Sequence, residues 1–234
     1  MAAAKKMNSR DVLRTDELVG FWERVQAYGE EHARRLTIIV VSVVLVAALV
    51  WIWNYRRTQQ EIAAQDQLYI AMELMAKAAA DQEQRQATYE QAVQRFTDTT
   101  AAYGGTRAGA VATFFAGTCL FELGQYADAR TRFEDFLGRA GGAVDYLVPL
   151  AYENIGYCCE QQQQYAEALE WFEKQQQAGG AGAAQALLNQ ARCHEAQGAA
   201  ETACRLYREY ATTHPMSAFA ELARAKSAAL CGAP

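Results

Sequence analysis

Hydrophobic and polar positions divide this chain into two regimes. From Leu36 to Trp53 no charged residue, Gly or Pro interrupts the run, and twelve of its eighteen residues are Leu, Ile or Val. As a helix rising 1.5 Å per residue, the run covers roughly 27 Å, close to the ~30 Å hydrocarbon core of a bilayer. Beyond residue 60, Ala and Gln dominate and apolar residues recur at helical spacing, with Leu68, Met72, Met75 and Ala79 along one face. The pattern predicts an all-α chain: one N-terminal transmembrane helix at 36–53, then a soluble helical part.

A cleaved signal peptide fits this run poorly. Its apolar core exceeds the about 7–15 residues of such signals, it begins only after residue 35, and no small-residue cleavage site follows. Trp51, Trp53 and Tyr55 instead form an aromatic belt at its far end. Lys5, Lys6, Arg10, Arg14, Arg24, Arg34 and Arg35 precede the span; Arg56 and Arg57 follow it, and then no basic residue occurs until Lys77. That asymmetry predicts a cytoplasmic tail over 1–35 and a C-terminal part outside the cytoplasm.

Self-similarity is the next signal. GTCLFELGQYADARTRF, GYCCEQQQQYAEALEWF and ARCHEAQGAAETACRLY align without gaps at offsets of 39 and 35 residues. The columns hold Gly117, Gly156 and Ala191, then Ala129, Ala168 and Ala203, then Phe133, Phe172 and Tyr207. Small residues let two helices approach closely, and the aromatic fills the space beside them. This pattern resembles the tetratricopeptide repeat, a helix–turn–helix unit of ~34 residues. It predicts an α-solenoid over 107–234, with repeats at about 110–143, 149–182 and 184–217 and a capping helix from Ser217 to Leu230. Gly124 and Gly198 occupy the intra-repeat turn, where the second unit has Gln163. The aromatic expected in the first helix is Tyr152 in the second unit alone, with Thr113 and Leu187 in the others.

Upstream, Ala92 and Phe96 repeat the small-to-aromatic spacing, so residues 54–106 read as a connecting helix and a divergent first hairpin. Nothing between Trp53 and Ile62 breaks a helix, and one continuous helix over about 37–80 is predicted. In the tail, Leu18, Phe21, Trp22 and Val25 form an i, i+3, i+4, i+7 stripe suited to a membrane surface or a partner helix.

Charge and chemistry narrow the function. A net charge of −5 argues against a nucleic-acid partner, which demands a basic face. Cys119, Cys158 and Cys193 share one repeat position, too far apart in a stack for a bridge; Cys193 and Cys204 are the local pair that could meet. Otherwise the six cysteines read as small buried hydrophobes. No metal-ligand spacing, phosphate loop or catalytic constellation emerges, so no cofactor and no enzyme activity are expected. A binding surface is expected instead. The inner face of the first helices presents Phe114, Phe121, Glu153, Tyr157, Glu160, Leu188, Arg192 and Glu195. Aromatics beside carboxylates suit an extended apolar or basic peptide.

The order of parts carries a further likeness. A D-E-L-V-G-F-W tail and a span ending W-I-W-N-Y-R-R are followed by a Gln-rich helix and degenerate repeats. Together they resemble the bacterial inner-membrane family that includes the ancillary subunit of the Sec translocon. That resemblance implies a single-pass inner-membrane protein with a periplasmic repeat domain. Its partners would be the translocation channel, periplasmic folding factors or unfolded clients, with membrane lipid around the span. The Y-G-G-T-R-A-G-A and H-P-M-S-A-F-A-E-L-A-R-A segments also resemble repeat junctions of the Tol-associated division coordinator. The rival reading is a structural scaffold of an envelope machine, such as the division or Tol–Pal apparatus or a flagellar motor collar.

Overall fold

The computed structural model describes Gly20, residues 32–180 and residues 182–232. Among these residues the ordered elements are helical and no strand occurs. Helix α1 runs Ala33–Ala80, α2 Arg85–Tyr103, α3 Arg107–Glu122 and α4 Tyr126–Arg139. After a 3-10 segment at Gly142–Leu147 come α5 Val148–Gln161, α6 Tyr165–Ala178, α7 Gly182–Ala196, α8 Ala200–Thr213 and α9 Ala220–Cys231. The chain forms two units, Met1–Arg57 and Thr58–Pro234.

In the first unit every residue from Leu36 to Trp53 is exposed. The helix that carries them is long and apolar enough to cross a membrane. Trp51 stacks on Tyr55 with ring centroids 5.9 Å apart, and the Arg57 guanidinium lies 5.5 Å from the Trp53 ring. The tail stripe of Leu18, Phe21, Trp22 and Val25 lies outside the described residues.

In the second unit, from α2 onward, each helix packs on the next. The part of α1 in this unit buries Ala64, Ala71 and Ala78, spaced seven apart, with Leu68 and Met75 partly buried beside them. The buried face is therefore turned from the expected one, since Met72 is 37% exposed and Ala79 is also exposed. The methyl side chains explain the turn. Alanine permits the closest backbone approach, and Ala71 and Ala78 of the stripe share a buried cluster with Ala92 and Phe96 of α2 and Ala112 and Ala116 of α3.

Glu61 fastens α1 to the repeats in another way. Its carboxylate accepts from the backbone N–H groups of Arg107 (2.9 Å) and Ala108 (3.1 Å), while the Thr106 hydroxyl accepts from Gly109 N–H (3.0 Å). Three of the four donors left open at the start of α3 are thereby satisfied.

The aligned columns have direct physical meaning. A Cβ added at Gly117 would sit 2.9 Å from the Phe133 ring, and one at Gly156 only 2.4 Å from the Phe172 ring. At the turn, Gly124 and Gly198 have φ of 74° and 76°, and Gln163 adopts 62° in the same slot without a glycine. Thr113 is fully buried where an aromatic was expected; its hydroxyl donates to the Gly109 carbonyl (3.0 Å) and lies 3.2 Å from that of Thr100.

Cys193 and Cys204, the local pair able to meet, are not bonded to each other. Cys193 is a buried free thiol, as the hydrophobic reading of the cysteines has it, while Cys204 and Cys231 depart from that reading. Cys204 is bonded to Cys231, with Cα atoms 5.9 Å apart. The two cysteines face opposite neighbours. Cys193 packs into the cluster containing Cys158, Cys159 and Phe172 of the preceding repeat, whereas the Cys204 sulfur points to α9, 3.4 Å from the Ser227 carbonyl.

Candidate protein-binding face

The residues expected to line a groove separate into two groups. Phe114 and Leu188 belong to the core and not to an open groove. Phe114 is 5% exposed and packs edge-on to Phe133 and Phe136, with centroids 5.4 Å away in each case. Leu188 is 6% exposed within the cluster of Leu187, Leu206 and Tyr207. Phe121 is half-buried and meets Tyr126 at 5.2 Å, so much of its ring is spent on its own hairpin.

Glu153, Tyr157, Glu160 and Arg192 are joined through Asn189 and their own contacts, while Glu195, three residues beyond Arg192 on α7, takes other partners. The Tyr157 hydroxyl donates to Glu153 (2.9 Å) and reaches Asn189 at 3.3 Å. The Asn189 amide nitrogen in turn donates to Glu153 at 3.4 Å. Arg192 forms a fork on Glu160, Nε to Oε1 and Nη2 to Oε2, both at 2.5 Å, and stands 5.5 Å from the Tyr157 ring. Glu195 accepts from Tyr207 (2.9 Å) and from Lys226 of α9 (2.7 Å). The result is a polar ladder running from α5 through α7 to α9.

Electrostatics follow from that pairing. Burial, then the Glu153 carboxylate, raises the Tyr157 hydroxyl above its ordinary value. The hydrogen bond to Glu160 raises Arg192. At Glu195 burial works upward, but the hydrogen bonds from Lys226 and Tyr207 outweigh it and the carboxyl is lowered. Arg192 therefore carries no spare charge for a partner's carboxylate.

Sequence reasoning missed Leu150, Asn189 and Lys226. Leu150 is 42% exposed and lies three residues before Glu153 and seven before Tyr157, hence on the same side of α5; that spacing was the available signal. Tyr146, 68% exposed, lies in the 3-10 segment that leads into α5, so exposed apolar side chains stand in the first turn of the helix and just before it.

Cys119, Cys158 and Cys193 are each pushed up to about 12, first by burial, so at neutral pH they are protonated thiols. Among the described residues no group of three His, Cys, Asp or Glu could hold a metal ion.

Residues 116–181 and 185–217 each match the tetratricopeptide repeat family. No curated protein sequence matches the chain. Among solved structures, a double mutant of MamA from strain RS-1 superposes with a TM-score of 0.51 at 15% identity, covering 71% of this chain and 93% of that one. Nearly identical TPR-like repeats of a Podosopora anserina kinesin light chain superpose with a TM-score of 0.55 at 11% identity, covering 71% of this chain and 84% of theirs. At these identities the likeness is one of fold.

Proposed function

We propose that this tetratricopeptide-repeat protein is a membrane-anchored adaptor whose repeat domain lies outside the cytoplasm and holds protein partners there. The observation that carries the reading is the pairing of two features in one chain: an apolar helix uncovered by any protein from Leu36 to Trp53, and a repeat array. Twelve exposed aliphatic side chains are costly in water and favourable in hydrocarbon.

Two further observations support the placement. The basic residues favour the N-terminal side of the span, and the repeat domain carries a disulfide, a bond that persists in oxidising compartments. The partner is met at the α5 face, where Tyr146, Leu150 and the Tyr157 ring offer apolar surface beside paired carboxylates. An extended, mainly apolar segment fits this face. The finer reading is an ancillary role at the protein-export channel, in which the span sits in the bilayer beside the channel and the repeats receive exported chains or folding factors.

The scaffold of an envelope machine is the second reading, favoured by one observation. The ladder from Glu153 to Lys226 ties successive units together with both of its cations ion-paired, which suits a rigid part more than a flexible receiver.

Photo-crosslinking in native membranes separates the two. Probes at Val46, Leu150 and Tyr157 are expected to yield channel subunits at the span, and folding factors or nascent chains at the α5 face. A single stoichiometric envelope component at both repeat positions, with no channel adduct, overturns the export reading and leaves the scaffold.

A further inference from the structure

A second cleft lies in the repeat unit where the last turn of α2 and the Gly104-Gly105 turn face α4. It measures about 560 Å³, and its lining includes Thr97, Gly104, Gly105, Arg132 and Arg139 but no carboxylate. That is unusual in a chain of net charge −5. Several arginines of this unit are ion-paired, Arg85 with Glu122, Arg130 with Glu134 and Glu167 and Arg192 with Glu160, whereas the two in this cleft belong to those that are not. Among the described residues no ion pair joins Arg132 or Arg139 to an acid, although Asp135 lies between them on α4. Among the described residues the Arg139 guanidinium makes a long hydrogen bond, Nη1 to the Gly104 carbonyl at 3.4 Å.

The turn is shaped to leave this guanidinium room. A Cβ at position 104 would stand 2.7 Å from Arg139 Nη1, so any side chain there would displace it. A Cβ at Gly105 would meet nothing within 4 Å, so the cleft is open on that side. Arg132 and Arg139 are seven residues apart on one helix, hence on the same face with Cα atoms about 10 Å apart. Two cations spread over two turns match two carboxylates on a chain better than one small ion, and planar guanidinium forks grip carboxylates in bidentate fashion.

We propose that this cleft is a second docking point, which takes an acidic segment of a protein partner on Arg132 and Arg139. It rests on the adaptor reading above and adds a contact of opposite chemistry to the apolar α5 face. One partner could then be held at two points, or two partners at once.

The test uses the full chain in zwitterionic lipid nanodiscs and a fluorescein-labelled peptide of alternating Glu and Ser, read by anisotropy. At about 0.05 M salt, where screening is weak, the Glu peptide is expected to bind and its Gln counterpart not to. Arg132→Gln with Arg139→Gln is expected to weaken binding at least about tenfold at unchanged helical circular dichroism, and about 10 mM inorganic phosphate to leave it in place. Failure of the wild-type chain to bind, equal binding by the double variant, or displacement by phosphate overturns the inference. The adaptor reading fails separately, by loss of cross-links at Leu150 and Tyr157.

Discussion

Arg192 and Glu160 meet fork to fork across two repeats, with both guanidinium–carboxylate contacts at 2.5 Å. Glu160 is the more enclosed partner, its side chain 16% exposed against 41% for Arg192. This asymmetry makes a prediction. Arg192→Ala strands a partly enclosed carboxylate, whereas Glu160→Ala leaves a cation that can reach water. Arg192→Ala should therefore lower unfolding free energy more, and the double-mutant cycle should give a coupling of about 1 kcal/mol in urea titrations. Zero coupling would remove the ladder from the account of repeat stacking.

The small-residue columns give a second expectation. Gly156→Ala presses a methyl into the fully buried Phe172 ring, and Gly117→Ala meets Phe133 at a less severe distance. Overpacking of this kind costs about 1–3 kcal/mol, with Gly156→Ala the worse. Thermal unfolding of the two variants checks the order, and reversal would show that the second hairpin relaxes more readily than its packing implies.

Those same columns explain what could be read in advance. Gly117 with Phe133 and Gly156 with Phe172 are contacts within one hairpin, so their spacing is written locally in the chain. Phe114 and Leu188 misled because their helical positions are those of a groove. Whether a groove position is open depends on how the two helices of its hairpin are turned against each other, and here Phe136 and Leu206 of the second helix pack with Phe114 and Leu188. Cys231 lies outside the repeat alignment, so no periodicity pointed to its bond with Cys204. The Arg132–Arg139 cleft depends on a turn 30 residues upstream and was equally illegible.

The Glu61 cap is separable from the packing around it. Glu61→Ala should cost about 1–2 kcal/mol, because two backbone donors of α3 lose a charged acceptor at the positive end of the helix. Glu61→Gln, which keeps one acceptor oxygen, should recover part of that loss. Hydrogen exchange at Arg107 and Ala108 should accelerate in the alanine variant. Unchanged exchange there would contradict the cap.

Acid should loosen the array through two carboxylates held below the ordinary value of 4.5. Glu167 is lowered first by its hydrogen bond from Arg130, and Glu195 by Lys226 and Tyr207 against the upward pull of burial. A depressed folded-state pKa gives stability that is present above 4.5 and is lost as pH falls through the folded value. Wild type should thus lose stability below about pH 4.5 more steeply than Glu167→Gln/Glu195→Gln, and the two curves should converge in strong acid. Parallel curves would mean that neither pair matters to folding.

Thiol chemistry should divide the cysteines sharply. Cys119, Cys158, Cys159 and Cys193 are buried, and should resist maleimide until the chain is denatured. Cys204 and Cys231 should label only after reduction, and reduction should lower stability by about 2–4 kcal/mol for a loop of this length. Mass spectrometry of non-reduced peptides checks the linkage, and free Cys231 in protein isolated from membranes would contradict it.

The position of that bond has a consequence in time. Cys231 follows the repeats at 116–217, so a chain emerging N-terminus first cannot close the bond until α9 has been delivered. A molecule interrupted before that point leaves the outer side of α8 uncapped, baring the Leu206 and Tyr207 layer to proteases. The oxidised bond is thus a covalent mark of docking, distinguishing copies in which α9 has been laid on α8 from those in which it has not, without any added tag.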